Sequence, residues 1–184
     1  MLGMGFFLSS IISFDFRADV ERMAELKALP IAPLPLTLGQ LVTPVAVASA
    51  VQWVVTVALV ALSGHLSVVT GGIAALVLPV SMILIAVDNL WFLLFPMRSG
   101  MPGSLDFQRM GQMMLMMMVK FLLLGFGGGL AAGLGYGAYR LSGGYLGAAF
   151  AIAWLVLISI ALALVPAIAT AFTRFDVAAD APGT

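Results

Sequence analysis

Sixty consecutive residues between Lys27 and Asp88 carry no charge, and His65 is the only titratable side chain among them. A water-soluble domain of this size must present charge at its surface, where about a quarter of residues are ordinarily Asp, Glu, Lys or Arg. Here 9% are charged and 62% hydrophobic, and the mean hydropathy is +1.16. A bilayer can accommodate such a stretch, provided the backbone satisfies its own hydrogen bonds. The fold class expected is all-α, a polytopic transmembrane helix bundle.

A spanning helix needs about 20 apolar residues, each rising about 1.5 Å. Four segments qualify: residues 40–62, 70–93, 111–139 and 145–172. Met1 to Phe14 is apolar and uncharged, so it lacks the basic start of a secretory signal. As a helix it would reach about 21 Å. It reads as a partial N-terminal span, the tail of one that begins further upstream. The expected organisation is one transmembrane domain over residues 1–184: a partial span at 1–14, a cytoplasmic charged segment at 15–38, four full spans, and a cytoplasmic tail at 173–184.

Lys and Arg concentrate in cytoplasmic loops. Arg17, Arg22 and Lys27 precede the first full span, Arg98 and Arg109 lie between the second and third, and Arg174 follows the fourth. The alternate loops carry Arg140 alone, with Tyr136, Tyr139 and Tyr145 around it, whereas Trp91, Phe92 and Phe95 crowd the basic side. Both patterns predict a multi-pass protein whose C-terminus is cytoplasmic.

Other chemistries find little to work with. Net charge is zero, so no basic balance points to nucleic acid. There is no Cys, and the lone His65 sits in an expected outer loop, where it is solvated. No H-E-x-x-H, G-x-S-x-G elbow or G-x-x-x-x-G-K-S/T phosphate loop occurs, so an enzyme, including an ATPase, is not expected, and neither is a cofactor or metal. Gly127 to Ala132 formally fits G-x-G-x-x-A but follows no strand.

The charged segment stands apart. Seven of the sixteen charged residues fall between Asp15 and Lys27. Phe16, Val20, Met23 and Leu26 share one helical face, with Arg17, Glu21 and Glu25 on another. Asp15 is placed to cap the helix, and Arg17–Glu21 and Arg22–Glu25 are spaced to pair. Pro30 ends the helix, and Pro33 and Pro35 are expected to keep the following residues extended. Such a helix can lie on lipid headgroups. Its acids and bases are balanced four to three, however, which weakens attraction to anionic lipid and favours docking to a protein.

In this segment the chain resembles the type-2 ABC exporter permeases. These carry a charged helix of pattern E-x-L-x-x-(x)-P, then an eight-residue apolar stretch and G-K at the start of a span. Here the sequence is Glu25-Leu26-Lys27-Ala28-Leu29-Pro30, then Ile31 to Leu38, then Gly39-Gln40. The Pro-to-Gly spacing matches, while Gln40 stands for the usual Lys and Glu25 leads Pro30 by five rather than six. The likeness continues through Asp88 to Pro96 and Arg174 to Val177, so the chain is similar to the C-terminal part of a longer permease. The resemblance implies an ABC exporter subunit or half-subunit in the cell membrane. Its partners would be a cytoplasmic ABC ATPase and a second permease half or homodimer partner. Arg17, Glu21, Arg22, Glu25, Lys27 and Pro30 would form the coupling helix. The competing reading is a small membrane scaffold or assembly protein without transport activity.

Within the spans, Gly125, Gly129, Gly133 and Gly137 repeat every four residues, a spacing that lets helices approach closely. They are expected to pack within the same subunit rather than form a dimer seam or line a pore. Asp88 and Lys120 lie at membrane depth and either form an interhelical ion pair or snorkel separately to the headgroups. Six of the twelve methionines fall between Met110 and Met118, which reads as adaptable apolar packing rather than a Cu(I) path. Pro44, Pro79 and Pro166 are expected to kink their helices. Gln52 and Thr56 are placed either to hydrogen-bond between helices or to line a substrate path.

Overall fold

The computed structural model describes residues 23–95 and 106–175. Within them every regular element is an α-helix: a short α1 (Met23–Ala28), then α2 (Pro33–Ser63), α3 (Val68–Leu94), α4 (Asp106–Leu141) and α5 (Leu146–Arg174). The last four are long and apolar enough to cross a membrane, α4 over Met110–Leu141. They match the four expected spans, with ends shifted by a few residues. The expected partial span at 1–14 and the tail beyond Phe175 lie outside the described residues.

The largest shift is at α2, which starts at Pro33 rather than at Gln40. Pro33 and Pro35 do not hold the chain extended; they form the helix's first turn. The first four N–H groups of any helix lack a partner within it, so proline's missing donor costs nothing there, and its fixed φ suits the helix. Ala32 before it is extended, at φ −61° and ψ 144°, as a residue preceding proline prefers. The result is a helix of 31 residues, about 46 Å long against a hydrocarbon core of about 30 Å.

Short turns join α2 to α3 and α4 to α5. Gly64 closes α2 in the left-handed region at φ 68°, and Ser67 caps α3 by accepting a hydrogen bond from the Thr70 N–H at 3.1 Å. His65 is exposed between them. At the other hairpin Gly143 and Gly144, at φ 72° and 93°, turn the chain from α4 into α5, and the Gly144 N–H reaches the Tyr139 carbonyl at 2.9 Å.

α5 packs against α2, α3 and α4, while α3 and α4 meet directly only over a narrow strip. One buried cluster joins Met23 of α1 to Leu41 and Val45 of α2, Ile85 and Ala86 of α3, and Ile168, Phe172 and Phe175 at the end of α5. A second joins Ile83 and Val87 of α3, Ala131 of α4, and Leu157 and Ala161 of α5. The C-terminal half of α3 belongs to both. Every residue from Ile83 to Asn89 is buried, nearly two turns enclosed on all sides.

The glycines correct one expectation. A Cβ added at Gly125, Gly129, Gly133 or Gly137 would meet nothing within 4 Å, so these four do not pack against another helix of the same chain. The seam with α5 uses Gly127, Ala131 and Gly135 instead. An added Cβ would lie 3.0 Å from Ile160 Cδ1 at Gly127, and 2.9 Å from the Ala149 carbonyl oxygen at Gly135. Two residues along a helix turn about 200°, so the neighbouring stripe of small residues faces the opposite way.

The two stripes predict opposite responses to alanine. Gly129→Ala adds a methyl into open space and removes glycine's helix penalty of about 0.5–1 kcal/mol, so it should leave the melting temperature in detergent unchanged or raise it. Gly135→Ala must push α4 off the Ala149 carbonyl and should lower it. Thermal unfolding of the purified variants checks the contrast.

Candidate functional site

Two charged features distinguish the end of the bundle where α1 lies. The first is α1 itself. Met23 is fully buried against the ends of α2, α3 and α5, which fixes one face of this short helix to the bundle. Glu25 is exposed on the other side, and Pro30 is exposed in the turn that follows. Lys27 turns inward. Its Nζ donates to the backbone carbonyl of Phe175 and lies 5.5 Å and 6.0 Å from the ring centroids of Phe172 and Phe175.

That contact has a simple electrostatic basis. The last carbonyls of α5 have no intrahelical donor and carry partial negative charge, which an ammonium complements. The two aromatic faces add a cation–π attraction. Lys27 therefore ties α1 to the end of the last span, and Glu25 is the described charge of α1 that faces outward. Of the remaining residues assigned to coupling from the sequence, Arg17, Glu21 and Arg22 lie outside the described residues.

The second feature is Asp88 on α3 with Lys120 on α4. Lys120 Nζ lies 2.6 Å from Asp88 Oδ1, and the two side chains are 2% and 1% exposed. Asp88 sits six residues before the end of α3, about 9 Å along the axis. At that depth the structure places the charges together rather than leading each out to the headgroups. Asn89 beside them is fully buried and donates from Nδ2 to the Ile85 carbonyl at 3.0 Å.

A smaller polar contact joins α2 to α3. Gln52 Nε2 of α2 donates to Ser81 Oγ of α3 at 3.0 Å, and Thr56 donates to the Gln52 carbonyl at 2.8 Å. Gln52 thus serves as an interhelical hydrogen bond between α2 and α3. Ser49, on the same face of α2, is buried as well. Five of the six methionines of α4 do not pack inside: Met110, Met113, Met114, Met117 and Met118 are exposed, and Met116 is half-buried.

Reading the sequence missed three of these residues. Phe175 as the partner of Lys27 joins positions 148 apart, and no local pattern reports such a contact. Ser81 and Asn89 carried a signal, since polar side chains in an apolar span are expensive unless they find partners. With this geometry in hand, comparison with known proteins adds nothing further: no protein-family profile matches the chain, and no curated protein or solved structure does either.

Removing one member of a buried ion pair strands the other and costs about 3–5 kcal/mol. Asp88→Asn and Lys120→Met should therefore each lower stability sharply, and Asp88→Asn should cost little more in a Lys120→Met background. Fully additive losses in such a double-mutant cycle would show that the two charges do not interact.

Proposed function

We propose that this chain is a membrane-spanning permease subunit, or half of one, of an ABC exporter. It would couple to a separate cytoplasmic ATPase and move its substrate through a path completed by a second permease half or a homodimer partner. The observation that carries this reading is α1. A short helix from the most charged segment of the chain is anchored to the bundle by Met23 and Lys27, with Glu25 facing outward. A docking element needs this combination, because a helix that transmits force must be fixed to what it moves and expose charge to what moves it.

In this reading the end of the bundle carrying α1 faces the cytoplasm of a cell whose plasma or inner membrane holds the protein. The excess of Lys and Arg on that side supports the placement. Lys27 acts as an anchor of the coupling helix. Arg17, Glu21, Arg22 and Glu25 supply its contacts to the ATPase, and Pro30 stops it before the first full span. ATP chemistry belongs to the partner, consistent with a sequence that has no phosphate loop.

The test is purification of the tagged chain from detergent-solubilised native membranes, with partners identified by mass spectrometry. An ABC ATPase should co-purify and should be lost when Glu21 and Glu25 are both changed to Lys. Recovery of the chain without an ATPase, under conditions that keep a known transporter assembled, would overturn the reading in favour of a membrane scaffold without transport activity.

A further inference from the structure

α4 is attached to the bundle by contacts of different kinds, with Val119, Leu123 and Leu124 packed on the cluster of Ile83, Val87, Leu157 and Ala161. In its second half Gly127 lies against the Ile160 side chain, Ala131 is buried with Leu157 and Ala161, and Gly135 lies against the Ala149 backbone of α5. In its first half Lys120 is buried and bonded to Asp88 of α3; from Met110 to Met118 no side chain is buried. Gly125 lies between the two attachments, and Gly127, Gly128 and Gly129 follow where the seam begins. Such a cluster lowers the resistance of a helix to bending.

These features work together because of the solvent. Lipid tails are as apolar as methionine and leucine, so the Met110–Met118 turns gain nothing by burial against α3 rather than against lipid. What separates the two positions energetically is the ion pair, whose charges have no comparable partner in hydrocarbon. We propose that Asp88 and Lys120 form a latch holding the first half of α4 against α3, with Gly125 to Gly129 as its hinge. When the pair opens, the turns of α4 before Lys120 swing away from α3 while the seam with α5 from Ala131 onward stays closed. The inference does not depend on the identity of any partner.

The chain contains no cysteine, so pairs of introduced cysteines can be spin-labelled cleanly. One pair, Leu94→Cys on α3 with Met114→Cys on α4, reports the latched end; the other, Leu134→Cys on α4 with Leu155→Cys on α5, reports the seam. All four positions are exposed. Distances are measured by pulsed electron resonance in lipid nanodiscs, diluted with unlabelled protein. The informative variant is Asp88→Leu with Lys120→Met, which removes both charges and leaves neither stranded.

The latch predicts that this variant lengthens and broadens the Leu94–Met114 distribution and leaves the Leu134–Leu155 distribution unchanged. Adding Gly125→Ala, Gly128→Ala and Gly129→Ala, all into open space, should narrow the first distribution again. If the first distribution matches that of the original chain, or if both distributions broaden together, the latch is overturned. If the three alanines leave the opening unchanged, the hinge is.

Discussion

The ion pair between Asp88 and Lys120 is the interaction around which the rest of the bundle is arranged. In hydrocarbon, helices are not driven together by their apolar surfaces, so association depends on close packing and on polar groups that lipid cannot satisfy. A charge pair at membrane depth is stable only if it is enclosed. The structure encloses it by burying Ile83 to Asn89 on every side, with α2 and α5 packed against α3 and Lys120 of α4 buried beside Asp88. α5 can take its central place because its neighbours meet it with small residues. Gly135 brings α4 close to the Ala149 carbonyl, and Gly72 of α3 leaves room for the Phe150 ring, which a Cβ there would approach to 2.4 Å.

The long elements were plain in the sequence and the fine ones were not, for reasons that can be stated residue by residue. Hydropathy locates the four helices because a bilayer demands about 20 apolar residues from each. It does not locate the start of α2, since proline reads as a breaker until its position within the first turn is known. The choice between the two small-residue stripes of α4 was also readable in principle. Gly127, Ala131 and Gly135 recur every four residues, as the other stripe does, but only they lie on the helical face that carries Lys120. A charge at membrane depth must face the interior, so Lys120 marks which stripe packs. The bond from Lys27 to Phe175 could not be read in this way, because it depends on where two ends of the bundle meet in space.

That last contact connects the two charged features. Lys27 and Met23 hold α1 to the end of α5, and α5 is the helix that touches α2, α3 and α4. A displacement of α1 therefore passes first to the end of α5, where Phe172 and Phe175 lie in the same buried cluster as Ile85 and Ala86 of α3. Asp88 is one turn or less from both of those residues. On the proposed reading, force delivered by an ATPase at Glu25 enters the bundle a few residues from the ion pair, at the end of α3 with the most buried polar groups.

The position of that pair also limits what such a displacement can do. Breaking it without replacement would leave two charges in hydrocarbon, at a cost of several kcal/mol. A device that opens and closes repeatedly must therefore give at least one of the separated charges somewhere to go. Lys120 has the means: its stem is long, and the turns of α4 that follow it toward the charged end are unburied from Met118 to Met110, so its ammonium can reach the headgroup region by snorkelling. Asp88 is shorter and is enclosed by α3's own neighbours, so it cannot follow. The asymmetry assigns the moving part to α4 and the fixed part to α3, which is the division the glycine cluster of α4 and the all-round burial of α3 already express in their packing.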